Sequence, residues 1–514
     1  GGAGNRESLA GVMARATLTS DPAYSRALQW AWLHSGAPTL VHDSRMGGLE
    51  YLYLDRTLPA AAPDWGSEVY PLSSVMLRHG LGTSSEHQVN LVCGDFSHAI
   101  FPGEGGAFAG IWSYGVPVSS SFAGGYGERD ELLMSEVLIA RDAGTIDDRK
   151  RLIGYCGFPY NLEESATGKR VVQETVEIGG RDGLIAVVAF SALPRQDYAA
   201  VDIGMRYARG AAWEPVQDLP AWPAAPKGTA PVDWRRQALF LKDDDPAGPA
   251  YLLLRDTVVG NQPTMWQMWT ISEAVDTPDA VRDVAAVLAA KPGNTIRPAR
   301  ELKGDRFTAI GQFGVDVEYF IASPADTPRH TLRWGTRYGY SPVHGFEEYH
   351  DLLHVQMPKD GAYFVAVYPR PREQPAPQFA TRGDGHVITV SGAWGTDYGF
   401  LAFAPTKAAA DDASFDGTAG SVQDRKSGLV LCLGAPGAVR YREYGLAASG
   451  PASLRVRDAT SLVVTLPAGE RAHTLTITAP GQWALALPMK GVAFRTNILT
   501  VPPGVTAVTL KQVR

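Results

Sequence analysis

The chain has 514 residues, 45% of them hydrophobic and 20% charged, and its formal net charge at pH 7 is −7. This length suffices for about two to four domains of ~150 residues each, and the composition is that of a soluble globular protein with a sizeable core. The acidic balance argues against nucleic acid and against an anionic membrane as partners.

Cysteine usage and the lack of long apolar runs bear on the compartment of the protein. Cys93, Cys156 and Cys432 are far apart, odd in number and without metal-ligand spacing, so we expect buried free thiols. No run of about 18 apolar residues occurs, and no membrane-spanning segment is predicted. The first residues, GGAGNRES, lack the basic and apolar regions of a signal peptide. A mature secreted protein can have lost one, which leaves the compartment open.

The chain opens with helical patterning, and we expect a helical segment over residues 1–64. Asp21 is a suitable N-cap, with Pro22 in the first helical position. Apolar residues follow at helical spacing, and Gly36 is positioned to end the helix.

From Trp65 onward, short apolar strands alternate with Gly, Pro and Asp clusters, which indicates antiparallel sandwiches. We expect a large sandwich region over residues 65–380 and a smaller C-terminal sandwich over residues 381–514. One helix is predicted inside the large region, over Pro278–Ala290, with Thr277 as its N-cap. The fold class is therefore mainly β, with antiparallel β-sandwich domains and a short α-helical N-terminal segment.

One stretch, Asp95–Asp142, combines a lone loop histidine, a glycine-rich step and a tight turn. The histidine is His98. The step Glu104–Gly106 leads into an aromatic strand at Phe108–Tyr114, and Gly115 then opens a second strand. Glycine lets the backbone approach a ligand or another strand closely, and histidine can exchange a proton near neutral pH. This stretch is the predicted functional centre.

The stretch resembles the signature of the heparinase II/III-like polysaccharide lyases, in which a histidine-containing loop, an acidic-Gly-Gly-x-Phe step and a Gly turn follow a strand. Glu104–Phe108 matches the step and Tyr114–Val118 matches the turn. Upstream, Ser73–Gly80 is similar to the family's hydrophobic-Arg strand. A second match, Val232–Thr270, resembles paired strands with a turn at Arg255-Asp256.

The resemblance, which covers Trp65 to about Gln378, implies an enzyme that cleaves a uronate-containing glycan by β-elimination. It implies an acidic polysaccharide or oligosaccharide as the substrate and a periplasmic or secreted location. We predict no cofactor. In the family a large α/α toroid precedes the sandwiches and contributes catalytic residues. Residues 1–64 are similar only to the end of such a toroid. A separate helical catalytic half or a second copy of the chain is therefore a further implied partner.

β-Elimination needs a group that neutralises the sugar carboxylate, a base for the C5 proton and an acid for the departing oxygen. His98 matches the family's loop histidine and is the candidate base or carboxylate neutraliser. Its structural alternative is a loop histidine with one hydrogen bond. Tyr126, in a glycine-rich loop, is the candidate phenolic base or acid, with Tyr155 and Tyr160 as further candidates. A surface turn aromatic is the alternative for Tyr126.

Substrate contacts are predicted for Glu104, Arg78 and Trp112. Glu104 stands at the acidic position of the step, where it either orients His98, contacts sugar or simply caps a loop. Arg78 suits a carboxylate, and a structural ion pair is its alternative. Trp112 and Trp266 suit stacking on sugar rings, although burial in the sandwich is the usual fate of tryptophan.

Some members of the family bind zinc through a second loop histidine, an aspartate and another histidine. The corresponding positions in this sequence are Ile100 or Pro102, Ser119 and Ser135. None of these side chains is a good zinc ligand, so we predict no zinc at this site.

A separate histidine cluster comprises His344, His350 and His354. Its spacing is similar to that of zinc-protease helices, but Asp351 stands where a glutamate is required. A polar loop packed over a sandwich is favoured over a metal site.

Two other functions stay open on the sequence alone. The chain fits a non-catalytic glycan-binding or scaffold portion of a larger carbohydrate-active enzyme. It also fits a glycoside hydrolase, which needs two carboxylates at a suitable separation, such as Glu104 with Asp130 or Glu131. Because hydrolysis creates no double bond, the ultraviolet absorbance of an unsaturated uronate distinguishes a lyase from a hydrolase.

Overall fold

The computed structural model describes the protein over residues 6–37, 54–70, 74–93, 106–120, 135, 137–139, 185–205, 232–261, 264–290, 297–333, 340–341, 346–347, 349–357, 360–469 and 471–513. Over these residues the protein is mainly β, with antiparallel sheets and few helices, which confirms the predicted fold class. No helix described there is long and apolar enough to cross a membrane. The chain divides into two compact units, Gly1–Gly66 with Gly80–Glu86 and Ser67–His79 with His87–Arg514.

The described residues of the first unit form two α-helices, α1 at Arg6–Thr17 and α2 at Pro22–His34. Asp21 caps α2 as predicted, because its carboxylate accepts the backbone N–H of Tyr24 at 3.0 Å. Gly36 follows the helix with a φ of +88°, the left-handed conformation in which glycine ends helices. Residues 54–64 form no helix, so among the described residues of the predicted helical segment the prediction holds for α1 and α2, while residues 1–5 and 38–53 lie outside the described residues.

The second unit begins with a five-stranded sheet, sheet A, whose strands follow the order of the sequence. They are β1 Glu68–Tyr70, β2 Ser74–His79, β3 His87–Val92, β4 Phe108–Ser113 and β5 Val116–Ser120.

A twelve-stranded sheet comes next. Its strands, with the small hairpin β16–β17 and helix α3 that interrupt them in the chain, are β6 Val137–Ile139, β7 Ile185–Ala192, β8 Gln196–Met205, β9 Val232–Leu241, β10 Tyr251–Val259, β11 Thr264–Asp276, α3 Val284–Ala289, β12 Arg297–Leu302, β13 Arg306–Gly311, β14 Val315–Ser323, β15 Arg329–Arg333, β16 Tyr340–Ser341, β17 Phe346–Glu347, β18 His350–Met357 and β19 Gly361–Pro371. The strand order is β12-β15-β18-β11-β13-β14-β19-β10-β9-β8-β7, with β6 beside β11.

Strand β11 divides this sheet into two halves. Its residues 264–271 pair with β18, whereas residues 272–276 pair with β13. We call the part from β12 to the first half of β11 sheet B, and the part from the second half of β11 to β7 sheet C.

The C-terminal sheet has fourteen strands. They are β20 Gln378–Arg382, β21 Val387–Gly392, β22 Gly395–Ala410, β23 Ala413–Arg425, β24 Gly428–Leu433, β25 Gly437–Tyr441, β26 Tyr444–Ala448, β27 Ala452–Asp458, β28 Ser461–Thr465, β29 His473–Thr478, β30 Gln482–Leu485, β31 Ala493–Arg495, β32 Ile498–Val501 and β33 Ala507–Val513. Their order is β30-β33-β28-β27-β24-β23-β25-β26-β29-β32-β31. Off this path, β22 pairs with β23, β21 pairs with β22 and β20 pairs with β21. The predicted domain boundaries at residues 64 and 380 stay a prediction.

Sheet C is buried on both faces. On β10, Leu252 and Leu254 belong to a core shared with sheets A and B, whereas Tyr251 and Leu253 belong to a second core shared with the C-terminal sheet. Alternate side chains of a strand point to opposite faces. A strand covered on both sides therefore has a continuous apolar run in the sequence instead of a polar–apolar alternation.

A buried ion network joins sheet C to the C-terminal sheet. Arg425 donates to Asp397 and to Asp243, each at 2.9 Å. Arg195 lies 3.5 Å from the same Asp243 oxygen, and Tyr251 donates its hydroxyl to Asp397 at 2.7 Å. All five side chains are buried. Because buried charges require partners, these contacts hold the two sheets in one arrangement.

The helix predicted over Pro278–Ala290 is much shorter than expected. Thr277 does not cap it, because its carbonyl accepts the N–H groups of Ala280 and Val281 in a turn. The helix begins at Val284 instead, since the carboxylate of Asp283 accepts the N–H of Ala286 at 2.9 Å and so provides the N-cap.

The turn that the family resemblance implied at Arg255-Asp256 is wrong. Both residues lie in the middle of β10, paired with β9 and with β19. The chain turns at Gly260 and Asn261, where the carboxylate of Asp360 accepts both backbone N–H groups.

The cysteine prediction is confirmed for two of the three thiols. Cys93 and Cys432 are buried and free, and burial raises the pKa of each to about 12. Both thiols therefore stay protonated at neutral pH. Cys156 lies outside the described residues.

Asp397→Asn is expected to lower the free energy of unfolding by about 3 kcal/mol, because the buried guanidinium of Arg425 loses a counter-charge. The matched control is Asp416→Asn, which breaks an exposed pair with Lys407 at 3.8 Å and is expected to cost less than about 1 kcal/mol. Urea unfolding of the two variants and the wild type gives the comparison. Equal losses would contradict a role for the buried network.

Candidate functional site

A row of four residues crosses sheet A, and we call it the sheet A row. Arg78 on β2 pairs with Gln88 on β3, Gln88 pairs with Trp112 on β4, and Trp112 pairs with Pro117 on β5. Cross-strand partners point to the same face of a sheet. The strands are about 4.8 Å apart, which places Arg78 and Trp112 about 10 Å from each other.

The sheet A row lies on the face opposite the core. Leu77 and Val89, one position away along their strands, belong to the core cluster, whereas Arg78, Gln88 and Trp112 are half-buried. The structure therefore brings together the two predicted substrate-binding residues that it describes, Arg78 and Trp112. Trp266 is fully buried and is not available for stacking on a sugar.

Glycine at position 110 makes room for the indole of Trp112. A Cβ added to Gly110 would lie 2.4 Å from Cη2 of Trp112, which means that the ring covers this glycine. The indole offers a flat apolar surface. The polar groups of the same row are the guanidinium of Arg78 and the amide of Gln88. This combination suits a sugar ring that carries an anionic group.

The backbone of Arg78 is held by a hydrogen-bond chain through Ser67 to the buried Asp197. Its N–H donates to the hydroxyl of Ser67 at 2.7 Å, and that hydroxyl donates to the buried carboxylate of Asp197. Lys242 completes the ion pair with Asp197 at 2.7 Å. The guanidinium of Arg78 lies 3.3 Å from the hydroxyl of Tyr70.

The connection between β3 and β4 is closed at its base by two backbone hydrogen bonds. The N–H of Gly106 donates to the carbonyl of Val92 at 2.8 Å, and the N–H of Val92 donates to the carbonyl of Ala107 at 2.9 Å. His98 and Glu104 belong to this connection in the sequence, and both lie outside the described residues.

The connection after β5 is held at both ends by the backbone of Trp269. Ser119 donates its hydroxyl to the carbonyl of Trp269 at 2.5 Å, and the N–H of Trp269 donates to the hydroxyl of Ser135 at 3.0 Å. Tyr126, in this connection, lies outside the described residues, as do Tyr155 and Tyr160.

Ser119 and Ser135 occupy two of the three positions at which the resemblance placed zinc ligands. Both hydroxyls are used by the backbone of Trp269, and neither is a ligand that zinc prefers. The residues present therefore do not fit a zinc ion. The third position, Ile100 or Pro102, lies outside the described residues.

Arg236 links the two connections. Its Nε and Nη2 donate to Asp256 at 2.7 and 3.0 Å, while Nη1 donates to the carbonyl of Gly106 at 2.5 Å and to that of Ser135 at 3.1 Å. Trp234 also donates to Asp256, at 2.8 Å. Both charged side chains are fully buried. Sequence reasoning missed this pair, although charged residues within apolar strands are a signal for buried ion pairs.

The histidine cluster differs from the polar loop that the sequence favoured. His350 and His354 are buried in strand β18, which pairs with β11 and β15 on its two sides. His354 stacks on its cross-strand partner His330 at 5.2 Å, and neither of its ring nitrogens has a hydrogen-bond partner among the described residues. Among the described residues, no group of three potential metal ligands occurs. His344 lies outside the described residues.

These features define an antiparallel β-sandwich protein with a half-buried polar and aromatic row beside two anchored connections. No protein-family model matches the chain, and no curated protein matches it.

Several solved structures are similar at a low level. One is the heparan sulfate lyase HepC from Pedobacter heparinus, with a TM-score of 0.38, 11% identity and coverage of 72% of this chain and 46% of that one. Another is heparinase III, with a TM-score of 0.41, 9% identity and coverage of 74% and 46%. A third is a putative aldose 1-epimerase from Escherichia coli K12, with a TM-score of 0.26, 9% identity and coverage of 57% and 99%. The chain thus spans less than half the length of the two lyases, and similarity at this level carries no information on activity.

Gly106→Ala is expected to destabilise the protein more than Gly304→Ala. Both glycines have a positive φ, +88° and +93°, so each substitution brings a backbone strain of about 1–2 kcal/mol. Only at Gly106 does the new Cβ also collide, with Ile203 at 2.5 Å and Trp234 at 2.6 Å, which adds about 1–3 kcal/mol. Chemical unfolding of both variants measures the difference, and equal losses would contradict the tight packing of the step.

Replacing His354 by Phe is expected to flatten the pH dependence of stability. Burial, together with His330, lowers the pKa of His354 to about 3 from 6.5. Between these two values the unfolded chain binds a proton that the folded protein does not, so the free energy of unfolding falls as the pH falls. The variant keeps a ring stacked on His330 and lacks this proton. The free energy of unfolding of each protein is measured from pH 7 to pH 4. Plotted against pH, the values for wild type and variant should differ in slope by up to about 1.4 kcal/mol per pH unit, whereas two parallel plots would contradict the prediction.

Proposed function

We propose that this chain is the sandwich part of a polysaccharide lyase that cleaves a uronate-containing glycan by β-elimination. The observation that carries the proposal is the sheet A row, in which Arg78 and Trp112 share one face of the sheet. The connection that carries His98 and Glu104 joins two strands of this same sheet. The step Glu104–Phe108 within it is the sequence feature that resembles the lyases.

In the proposed reaction, Arg78 pairs with the sugar carboxylate, which makes the C5 proton more acidic, and Trp112 stacks on a ring of the chain. His98 takes the C5 proton or assists in neutralising the carboxylate, with Glu104 orienting it. The C5–H electrons form a double bond between C4 and C5 as the C4–O bond breaks. Tyr126 supplies a proton to the departing oxygen; where it is the base instead of His98, it takes the C5 proton and passes it on to that oxygen.

The chemistry of the sheet A row favours binding of an anionic sugar over the two-carboxylate arrangement of a hydrolase. Its side chains are a guanidinium, an amide, an indole and a proline ring. The carboxylates nominated for hydrolysis, Glu104, Asp130 and Glu131, lie outside the described residues.

The proposal includes the setting of the enzyme. A polymeric acidic substrate is found outside the cytoplasm, so we place the protein in the periplasm or outside the cell. A helical catalytic half, or a second copy of the chain, completes the cleft.

The test is an ultraviolet absorbance screen of the full chain against alginate, heparan, chondroitin and hyaluronan. A lyase produces a rising signal that His98→Ala abolishes in a folded protein. Trp112→Ala is expected to raise KM at least about tenfold, the effect of ~1.4 kcal/mol of lost stacking. The matched control is Trp483→Ala, a half-buried tryptophan of the C-terminal sheet, whose kinetics should equal those of the wild type.

Other outcomes are equally informative. New reducing ends without absorbance identify a hydrolase. Retention on an acidic glycan column without turnover, weakened by Trp112→Ala and not by Trp483→Ala, identifies the non-catalytic binding portion. If the chain neither cleaves nor binds any of these glycans, the proposal is overturned.

A further inference from the structure

The outer face of the C-terminal sheet contains a groove that the proposed reaction does not use. Its volume is about 640 Å³, which lies within the range of ~300–1,000 Å³ for pockets that hold small ligands. Gly383 and Asp384 line one side of it, and residues of β22, β23 and β25 line the rest. We call it the β22–β25 groove.

The floor of the β22–β25 groove follows from strand register. It consists of two rows of cross-strand partners, which share one face of the sheet. The rows are Lys407, Asp416 and Ala438, and Ala409, Ser414 and Arg440. All six residues are exposed or half-buried. Ala410 and Phe415, which alternate with them along the strands, belong to the core of the C-terminal sheet, so the six side chains face the solvent.

The turn that precedes β21 forms the wall of the groove. The pairing of β22 with β23 shifts between Leu401 and Thr406, and such irregularities bend a strand. Beyond this point the turn approaches β22 closely, because a Cβ added to Gly383 would lie 3.1 Å from Cβ of Ala408. Asp384 follows with a φ of +52° and is exposed. The wall thus presents a carboxylate beside the floor.

The charges of the groove are accessible and balanced. Lys407 and Asp416 form a pair at 3.8 Å, with 85% and 53% of their side chains exposed. An exposed pair of this kind contributes little to stability, so both groups can exchange their partner for a ligand. The guanidinium of Arg440 has no hydrogen bond or ion pair among the described residues. With Asp384, the lining contains two cations and two carboxylates.

We propose that the β22–β25 groove is a second glycan-binding site, which holds a short uronate-containing oligosaccharide without cleaving it. Arg440 forms a two-point pair with the sugar carboxylate, and the carboxylates of Asp384 and Asp416 accept hydrogen bonds from sugar hydroxyls. The small side chains of Ala409 and Ala438 leave room for a sugar ring over the floor. This inference goes beyond the proposed function, because the ligand belongs to the same class but no turnover is required.

The balance of charges favours a glycan whose charge is a carboxylate. A neutral sugar offers no counter-charge to the guanidinium of Arg440. A densely sulfated chain brings its sulfates against Asp384 and Asp416, and like charges in contact repel each other. A uronate-containing chain has one carboxylate for the guanidinium and free hydroxyls for the two aspartates. It therefore satisfies both kinds of group.

The test measures the binding of sulfate-free hexasaccharides of hyaluronan and of alginate by titration calorimetry. The parent protein is the full chain with Arg78→Ala and Trp112→Ala, which removes both binding groups of the sheet A row. Adding Arg440→Glu is expected to weaken binding at least about tenfold, because a charge-assisted pair is lost. The matched control is Arg457→Glu, at an exposed arginine of β27. It changes the net charge equally and should alter Kd less than about twofold, since separated exposed charges are screened.

A second pair of variants tests the shape of the floor without changing its charge. Ala409→Leu places a branched side chain on the floor and is expected to weaken binding about tenfold, because the sugar ring loses its place. Ala493→Leu, at an exposed alanine of β31, is the control and should bind as the parent does. Both positions are exposed, so neither substitution is expected to unfold the protein. If Ala409→Leu binds like the parent, the ligand does not occupy this floor and the inference is wrong.

The outcomes separate this inference from the proposed function. Binding that depends on Arg440, in a chain that cleaves no glycan, supports the groove and overturns the lyase. Cleavage by the wild type, with no binding to the parent protein, supports the lyase and overturns the groove. Equal Kd values for Arg440→Glu and Arg457→Glu also overturn the groove. Tighter binding of a heparin hexasaccharide than of the sulfate-free ones does the same, because it identifies a simple patch of cations.

Discussion

The burial of sheet C on both faces is the constraint on which the rest of the molecule depends. Such a sheet exposes little of its surface to water, so its charged side chains need partners inside the protein. One pair, Arg236 with Asp256, lies on the face toward sheet A. On the other face, Arg425 of the C-terminal sheet reaches Asp397 and Asp243. The apolar contacts between the sheets are not directional, whereas these ion pairs have one geometry. Two of their contacts cross between neighbouring parts of the sandwich: Arg425 donates to Asp243 in the β9–β10 connection, and Arg236 donates to the carbonyl of Gly106 just before β4.

The same constraint shapes the candidate site. Sheet A places Arg78 and Trp112 on paired strands, which fix the backbone that carries them. The proposed proton-transfer groups, His98 and Tyr126, belong to connections whose ends are tied to the sandwich. Binding groups on strands and reacting groups on tied connections form a division found in many enzymes, in which a rigid scaffold positions functional loops.

Sequence reasoning succeeded where the signal is local and failed where it depends on distant partners. The cap of α2 and the strands of sheet A follow from turn residues and apolar periodicity. The shared row of Arg78 and Trp112 depends on strand register, including a bulge after Asn90, and no local pattern reveals it. The turn at Arg255-Asp256 was implied by the family resemblance, yet pairing with β9 and β19 places both residues inside a strand. Thr277 and Asp283 are equally good caps by residue type, and only the surrounding fold selects Asp283.

The closure of the β3–β4 connection at its base has an evolutionary consequence. Val92 and Gly106 are hydrogen-bonded to each other, and the glycine has no space for a side chain. Lengthening a loop whose ends are already joined costs little, since loop entropy grows slowly with length. Insertions and replacements between these two positions can therefore diversify what the protein recognises, in the way that antibody hypervariable loops vary on a constant framework.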